Sequence, residues 1–285
     1  MTQKPVKHEG RRPTDVITKE HLEEFIATQD DFTLELFAYS HARSAGFNAT
    51  HAGTYIDPQS GKARQFDVQA NRKCGENLHV FMAIECKSLS PSFPLLISQI
   101  PRIQAESYQD IVKSAGHSRY SVVWEEASKL RLQGISLYPA NDYVGKAISQ
   151  VGFNGEGKLH SKDSEVHEKW GQAIASCNQL ITKAMSVISF PPTAAQFSAV
   201  LPVLVVPDGT LWVANYSEDG KLIQGPMQRD EAQYFISSIQ SVNATPPLEY
   251  TLSHLHIVTT TGFSSLLERF SKDGDDAAQL SNAVY

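Results

Sequence analysis

The feature that most constrains this chain is the run of residues 81–87, which reads Phe-Met-Ala-Ile-Glu-Cys-Lys. It is an apolar run that ends in two opposite charges separated by one residue. Because a strand alternates its faces, Glu85 and Lys87 project from the same face. Charges at the end of an otherwise buried strand are costly unless they are paired or hold a metal. The run therefore predicts a strand whose charged end has a compensating partner nearby.

The best partner lies upstream, in residues 64–70, where polar and apolar residues alternate as they do in a strand. A short polar stretch that contains Gly75 separates the two runs and suits a hairpin turn. If the hairpin is centred on residue 76, Asp67 lies directly opposite Glu85, and directly opposed residues point to the same face. The spacing therefore predicts a cluster of Asp67, Glu85 and Lys87.

This cluster has a chemical use. Two neighbouring carboxylates bind a hard divalent cation such as Mg²⁺, which prefers oxygen ligands and keeps several waters. The cation lowers the pKa of a bound water and neutralises charge that develops on a phosphate, while a nearby ammonium positions either group. The pattern therefore favours phosphodiester hydrolysis. The alternative interpretation is an ordinary buried ion pair.

The same residues resemble the PD-(D/E)XK nuclease superfamily, whose fold is that of many restriction endonucleases. Asp67 matches the first aspartate of the family, and Glu85-Cys86-Lys87 matches its (D/E)XK element, although Phe66 stands where the family motif has proline. The resemblance covers about residues 19–90 and otherwise only the order of elements. It implies an α/β fold with a restriction-endonuclease-like mixed central sheet flanked by helices, and an insertion over about residues 88–163.

The resemblance also implies roles for individual residues. Asp67 and Glu85 are expected to ligate Mg²⁺, or Mn²⁺ in its place, with help from the backbone carbonyl of Cys86. Lys87 is expected to orient or activate the attacking water. Glu35, on the predicted helix over residues 32–45, is expected either to complete the metal shell, as the first helix of the family often does, or to face solvent. Lys169 and Gln172, on the helix after the motif strand, are weaker candidates, because a surface position suits both.

The implied activity is cleavage of DNA by an endonuclease with a role in bacterial defence, and a homodimer is a further expectation of the resemblance. Two alternatives stay open: a noncatalytic nucleic-acid-binding or scaffold protein that retains the fold, and a nuclease that acts on RNA. The formal net charge of −6 argues against a protein that coats nucleic acid through a broad basic surface. The candidates for a phosphate-facing surface are Arg64, Arg102, Lys113, Arg119, Lys129 and Arg131.

Two other motifs suggest no additional cofactor. The sequence Gly145-Lys146-Ala147 lacks both the earlier glycine and the following Ser or Thr of a phosphate-binding loop, so we predict a turn and no nucleotide cofactor. His254 and His256 alternate on a predicted strand, but no third ligand follows at a recognisable spacing. We therefore expect structural or surface histidines there.

Cysteine content and hydropathy bear on the compartment. Cys74, Cys86 and Cys177 form no paired framework, which favours free thiols in a reducing cytoplasm. No run reaches the roughly 18 consecutive apolar residues of a membrane helix, and the charged residues 1–13 do not resemble a signal peptide. We therefore predict a cytoplasmic protein with no membrane segment.

The order of elements completes the prediction. We expect a flexible tail over residues 1–15, a single domain over 16–270, and a second flexible tail over 271–285. Residues 200–206 are predicted to form a buried strand of the parallel kind and to join residues 211–216 in a hairpin. Helices are predicted over 19–26, 32–45, 104–114, 164–188, 229–242 and 262–270, and further strands over 47–56, 121–124 and 251–259.

Overall fold

The computed structural model of the chain describes residues 16–28, 31–119, 122–161, 164–187, 194–242, 247–271 and 274–284. The predicted tail over residues 1–15 lies outside them. The described residues form a mixed α/β architecture with five α-helices and fifteen strands. They belong to two compact units that divide after residue 30. The single domain predicted for residues 16–270 spans parts of both units and stays a prediction.

The smaller unit contains helix α1 (Lys19–Thr28), and the larger unit contains the other four helices. The predicted helices over 19–26, 32–45, 164–188 and 262–270 are confirmed to within a few residues at their described ends. No helix in the described ranges is long and apolar enough to cross a membrane. The helices of the larger unit are α2 (Asp31–Ser44), α3 (Ser164–Met185), α4 (Thr260–Arg269) and α5 (Asp275–Ala283).

Helix α5 corrects the prediction of a flexible tail over residues 271–285. Its residues Ala277 and Leu280 are buried in the core of the larger unit, beside Leu78 and Phe270. The sequence of α5 is short and polar, so its own propensity did not reveal it. Burial of its two apolar side chains, rather than propensity, stabilises it.

Thirteen strands form one large mixed sheet, and β2 and β3 form a separate two-stranded sheet. The order across the main path is β1-β4-β5-β11-β15-β14-β9-β6-β12-β13, with β7, β8 and β10 attached to its side. The strands are β1 (Asn48–His51), β2 (Thr54–Ile56), β3 (Ala63–Gln65), β4 (Val68–Lys73), β5 (Leu78–Cys86), β6 (Leu95–Pro101), β7 (Tyr108–Arg119), β8 (Val122–Gln133), β9 (Tyr143–Phe153), β10 (Leu159–Ser161), β11 (Gln196–Val206), β12 (Leu211–Tyr216), β13 (Leu222–Gln228), β14 (Glu231–Val242) and β15 (Leu248–Thr259).

The hairpin of β4 and β5 has the predicted register. Val68 pairs with Ile84 and Gln69 with Ala83, which is the pairing of a hairpin centred on residue 76. The predicted strand over residues 64–70 is divided, because β3 ends at residue 65 and β4 begins at residue 68. Asp67 therefore lies just before β4, next to the end of β5.

The predicted strand over residues 47–56 is also divided, into β1 and β2. Gly53 lies in the break, and a Cβ atom added there would lie only 2.3 Å from the Phe66 ring. The chain therefore needs glycine where β1 ends and the ring of Phe66 packs. This contact brings the β2–β3 hairpin close to Asp67, since Phe66 directly precedes it.

A crossover through α3 joins β5 to β11. The two strands are parallel, with Ile84 opposite Val203 and Cys86 opposite Val205. Every residue of β11 is buried, which confirms the prediction of a buried parallel strand over residues 200–206. Helix α3 packs against both strands, with Cys177, Leu180 and Ile181 in a core that also contains Phe81 and Val200.

Several predicted elements are wrong. Residues 104–114 form a short 3₁₀ turn and the first part of β7, and residues 229–242 form β14, so neither is an α-helix. The predicted turn over 145–147 lies inside β9. The predicted strand over 121–124 is correct for residues 122–124, which begin the longer β8, and residue 121 lies outside the described residues. β12 pairs with β6 and β13, so it forms no hairpin with β11.

The segment predicted as an insertion, about residues 88–163, supplies β6 to β10. β6 and β9 lie inside the main sheet between β14 and β12, and β7 pairs with β11. Gly145 permits the close approach of β9 to β14, because a Cβ atom there would lie 2.7 Å from Ile97 and 2.8 Å from Tyr234. This segment is thus part of the same sheet as the motif hairpin.

Candidate active site

Asp67 occupies the corner where β3 gives way to β4. Its Oδ2 atom accepts two hydrogen bonds of 2.8 Å, one from the backbone amide of Cys86 and one from the amine of Lys169. Its own amide lies 3.4 Å from Glu85 Oε1, to which it donates. The residue is only 6% exposed. The backbone amide of Cys86 and the side chain of Lys169 thus fix Asp67 at the end of β5.

Glu85 is completely buried at the end of β5. Burial first, and then the nearby charge of Asp67, raises the pKa of the Glu85 carboxyl to about 9. Its Oε2 atom has no hydrogen-bond partner among the described residues. A buried carboxyl oxygen without a partner is costly, so this atom marks a place where another group can bind with a gain in free energy.

Lys169 provides the positive charge at this site. Its Nζ atom is 2.8 Å from Asp67 Oδ2 and 3.6 Å from Glu85 Oε2. Burial disfavours the charged amine, but Asp67 and then Glu85 outweigh burial and raise the pKa of Lys169 above its ordinary value. Lys169 extends from α3, the crossover helix that packs against β5. The weak sequence candidate is therefore the lysine that contacts both carboxylates.

Lys87, the candidate from the sequence motif, forms an ion pair with a different acid. Its Nζ atom is 3.7 Å from Asp31 Oδ2, and the adjacent amide of Ser88 donates to Asp31 Oδ1 over 2.5 Å. The two carboxylates meet as predicted, and Lys169 contacts both of them. Membership of Lys87 in the same cluster stays a prediction.

Glu35 lies beside the same group of charges. Its Oε2 atom is 3.0 Å from His51 Nε2. Burial and then the charge of Asp67 raise the pKa of Glu35, against the opposing effect of its His51 contact. Its side chain is 14% exposed, so it is not the solvent-facing glutamate of the alternative prediction. Whether Glu35 takes part in a metal shell stays a prediction.

The Cys86 side chain has no direct part in this arrangement. It is buried on the opposite face, and burial raises the pKa of its thiol. Its contribution to the site is the backbone amide that holds Asp67. The expected role of its carbonyl as a metal ligand stays a prediction. All three cysteines are free and buried, as the sequence predicted.

Tyr55 is a residue that the sequence did not reveal as part of the site. It lies on β2, is 2% exposed, and its hydroxyl has no hydrogen-bond partner among the described residues. Burial and then the charge of Glu85 raise its pKa to about 12. Its hydroxyl and Glu85 Oε2 are therefore two unsatisfied polar atoms in one region. Only the fold brings β2 next to the end of β5.

The residues at this site fit a hard divalent cation that takes only one or two protein ligands. Among the described residues, no group of three or more His, Cys, Asp or Glu side chains is placed to hold a metal ion. Mg²⁺, however, needs only one or two carboxylates and keeps several waters. Asp67 and Glu85 provide two carboxylates, and Glu85 Oε2 accepts no hydrogen bond from the described residues. Lys169 partly neutralises both acids in the structure as it stands.

A cleft of about 610 Å³ lies next to these residues. Tyr55 and Gln172 line it, whereas Asp67, Glu85 and Lys169 do not. Because Gln172 follows Lys169 by three residues on α3, the two side chains emerge about 5–6 Å apart at Cβ. The cleft is thus adjacent to the carboxylates rather than built around them.

The proposed phosphate-facing residues mostly have other partners. Arg102 is 1% exposed and donates to His254, Pro139 and Gln233, so its assignment to a phosphate-facing surface is wrong. Arg131 donates to Asp110 over 2.6 Å and 3.0 Å, and Lys129 is 3.7 Å from Asp110. Arg64 is 2.7 Å from Asp57, Lys113 is exposed, and the side chain of Arg119 lies outside the described part.

The two histidines of β15 belong to a buried polar network. His256 Nε2 is 2.9 Å from the Tyr138 hydroxyl, and its Nδ1 is 3.4 Å from Glu231. His254 accepts a hydrogen bond from Arg102, and burial followed by the charge of Arg102 lowers its pKa to about 2. Neither is on the surface, and both hold neighbouring strands together, as the structural interpretation predicted.

Comparisons with known proteins add no relative. No protein-family model matches the chain, no curated protein matches it, and no solved structure matches its fold. The chemistry of the site therefore has to be argued from its own residues.

Proposed function

We propose that this protein is a Mg²⁺-dependent nuclease that hydrolyses phosphodiester bonds of DNA as an endonuclease, with Asp67, Glu85 and Lys169 as its central residues. The observation that carries the proposal is the meeting of these three side chains from three elements at the end of β5. One carboxyl oxygen there, Glu85 Oε2, is buried and accepts no hydrogen bond from the described residues. Groups of this kind bind a hard cation and a phosphate together.

The arrangement of elements supports the same proposal. Helix α2, strands β1, β4 and β5, helix α3 and strand β11 occur in this order along the chain, with β2 and β3 and then β6 to β10 between them. β1, β4 and β5 pair antiparallel, and β5 and β11 pair parallel. This order resembles the core of the PD-(D/E)XK nucleases, in which both acids lie near the end of the second and third strands. A role in defence against foreign DNA and a homodimeric assembly are part of the proposal by this resemblance alone.

Each residue has a role that follows from its environment. The Cys86 amide and the Lys169 amine fix the Asp67 carboxylate, so it enters the reaction already oriented. Lys169 stays protonated because its pKa is raised, so it acts as a hydrogen-bond donor and a positive charge toward a phosphate oxygen, not as a base.

Asp67 and Glu85 would hold Mg²⁺, which supplies charge neutralisation of the phosphate and a water of lowered pKa. Without a cation, Glu85 holds a proton at neutral pH because its pKa is raised to about 9. It must lose this proton to act as a ligand. Glu85 is thus the residue at which occupancy of the site and pH are linked.

The same observation leaves one competing function for the three residues. Lys169 already compensates Asp67 and Glu85, so the triad can serve as a buried ion pair in a noncatalytic protein with this fold. The two interpretations differ in what a neutral, isosteric change does. In a nuclease, such a change removes cutting while the fold survives.

The test is a cleavage assay on supercoiled, linear and single-stranded DNA and on RNA, with Mg²⁺ or Mn²⁺ and an EDTA control. Wild type is compared with Asp67→Asn, Glu85→Gln and Lys169→Met. Asp219→Asn and Lys221→Met are matched controls, because these residues form a second Asp-x-Lys triplet in the turn after β12. We expect metal-dependent cutting of DNA that drops at least 100-fold in the first three variants only.

Absence of cutting on every substrate, together with no heat of Mg²⁺ or Mn²⁺ binding by calorimetry, would show that the ion-pair interpretation is correct. If only RNA is cut, the proposed substrate changes from DNA to RNA, while the assignment of the active-site residues stands. Equal loss in the control variants would mean that the site assignment is wrong.

A further inference from the structure

We infer that the cleft beside the carboxylates binds an unpaired nucleobase of the substrate strand, next to the phosphodiester that is cut. This inference rests on the proposed function and names the part of the substrate that the cleft takes. The cleft has a volume of about 610 Å³, within the range of small-molecule sites. Its walls come from the β2–β3 hairpin, α3 and β14.

The charges in the cleft disfavour a phosphate chain inside it. Arg64 is the one Lys or Arg among the described residues that line the cleft, and it is 2.7 Å from Asp57 in an ion pair. Glu168 adds a negative charge at the wall. A run of phosphates needs uncompensated cations, which these walls do not offer. A neutral polar group suits them better.

The remaining polar groups match the edge of a base. Gln172, Asn178 and Gln240 line the cleft, and each carboxamide presents both a donor and an acceptor. The Gln172 amide makes no hydrogen bond to any described residue. Bases are recognised by paired donors and acceptors of this kind on their edges. Gln172 is therefore the group with which a base can pair.

Gly171 gives an independent reason to expect a ligand. It lies in the interior of α3, where glycine is the least favourable residue apart from proline. Packing within the described residues does not require it, because an added Cβ atom would meet none of them within 4 Å. Gly171 lines the cleft. A glycine that packing does not explain suits close approach of a ligand to the helix backbone.

The opposite wall is shaped by an irregularity in β14. The register of β14 against β15 shifts between Phe235 and Ser238, and Ser237 has a φ of 45°. Such bulges bend a strand and redirect its side chains, and they are enriched next to functional sites. Ser238 and Gln240, which follow the bulge, line the cleft. The bulge thus sets the wall that faces Gln172.

The location of the cleft connects it to the reaction. Tyr55 lines the cleft, and its hydroxyl lies within the electrostatic influence of Glu85. Gln172 is one helical turn from Lys169, which contacts both carboxylates. A nucleotide whose phosphate lies at Asp67 and Glu85 can therefore place a neighbouring base in the cleft. In duplex DNA that base must leave the stack, so single-stranded or unpaired DNA is the preferred substrate.

The test measures equilibrium binding by fluorescence anisotropy, with Ca²⁺ in place of Mg²⁺. The probes are a single-stranded DNA of six nucleotides and an abasic deoxyribose-phosphate chain of the same length, so their phosphate charge is equal. The proteins are wild type, Gly171→Phe and Gln172→Ala. Gln133→Ala is the control, because Gln133 is exposed on β8 and lies outside the cleft.

We expect wild type and Gln133→Ala to bind the strand with bases at least tenfold more tightly than the abasic chain. Gly171→Phe should fill the cleft and abolish this preference, and Gln172→Ala should reduce it severalfold. Equal binding of the two probes by wild type, no binding of either probe, or a preference that survives in Gly171→Phe would each overturn the inference. DNA cutting is measured in the same proteins to separate the two proposals. Cutting without a base preference would support the nuclease proposal and overturn the base-binding inference. A base preference without cutting would support base binding in the cleft and overturn the nuclease proposal.

Discussion

Lys169 reaches Asp67 across 102 residues of sequence and donates to its Oδ2 atom over 2.8 Å. This contact joins the crossover helix to the corner between β3 and β4. The pair also includes Glu85, whose Oε2 atom is 3.6 Å from the same amine. The lysine that serves the carboxylates is therefore supplied by a helix, while Lys87 of the motif strand pairs with Asp31.

The first prediction separates the two lysines. Lys169→Met should lower the free energy of unfolding by about 3 kcal/mol, because removing one partner of a buried pair leaves the other charge uncompensated. Lys87→Met should cost less than Lys169→Met, because the ion pair of Lys87 with Asp31 is 3.7 Å long and Asp31 is one-third exposed. Urea unfolding of both variants at pH 7 checks this. A larger loss in Lys87→Met would assign the principal lysine to the motif strand.

The second prediction concerns the pH dependence of stability. The pKa of Glu85 is raised to about 9 in the folded protein, so its neutral form is favoured there. Its contribution to stability is complete below its unfolded value near 4.5 and is lost as pH rises toward 9. Glu85→Gln stays neutral at every pH. The free energy of unfolding of Glu85→Gln minus that of wild type should therefore be at least about 1 kcal/mol larger at pH 8 than at pH 5.

Urea unfolding in EDTA at both pH values measures this difference for Glu85→Gln. The control is Glu218→Gln, because Glu218 is exposed in the loop after β12. If the difference between wild type and Glu85→Gln is the same at pH 5 and pH 8, Glu85 is not a buried group with a raised pKa.

The third prediction concerns two buried tyrosines with opposite surroundings. The Tyr55 hydroxyl has no described partner, so Tyr55→Phe should leave stability unchanged or raise it by about 1 kcal/mol. The Tyr138 hydroxyl is 2.9 Å from His256, so Tyr138→Phe should lower stability by about 1.5 kcal/mol. Thermal unfolding of both variants gives the comparison. A destabilised Tyr55→Phe would indicate that its hydroxyl has a partner in solution.

The fourth prediction concerns acid sensitivity. Burial, and then the charge of Arg102, lowers the pKa of His254 to about 2, so the folded protein keeps this histidine neutral. The unfolded chain takes up a proton near pH 6.5, so stability is present above that value and is lost as pH falls. Between pH 6.5 and pH 5 this loss is about 2 kcal/mol.

His254→Gln should lose this part of the acid sensitivity while it keeps an acceptor for Arg102. The measurement is the free energy of unfolding at pH 7 and pH 5 in wild type, His254→Gln and His160→Gln. His160 is a histidine outside the buried network, on β10, where it contacts the backbone of Gly152. An unchanged pH dependence in His254→Gln would mean that His254 is solvated when folded.

The sequence predicted the site as far as local spacing determines geometry. The pairing of β4 with β5 follows from a period of two and a short polar turn, so Asp67 and Glu85 were correctly placed together. Lys169 was only a weak candidate from the sequence, because the direction in which its side chain points depends on how α3 packs against the sheet. Tyr55 was missed, because no pattern links β2 to the end of β5.

The wrong helices have a physical explanation. Ala232, Phe235, Ile236 and Ile239 recur at the three- and four-residue spacing of a helix face, yet they lie on β14. Ten residues of β14 pair with β15, and such pairing overrides local propensity. A helix was wrongly predicted over residues 104–114 for the same reason. Most of these residues belong to the long hairpin of β7 and β8, which is determined by cross-strand contacts that no local pattern shows.

The position of β15 determines when the protein can assemble during its synthesis. It is the last strand among the described residues, yet it lies between β11 and β14 and joins the half of the sheet with the motif hairpin to the half with β6, β9 and β12. A ribosome that has not yet made residues 248–259 holds two sheet halves with open edges. Such edges pair readily with other chains. The nascent chain is therefore most prone to aggregate just before its last strand emerges, and chaperones that cover exposed strands would act at that stage.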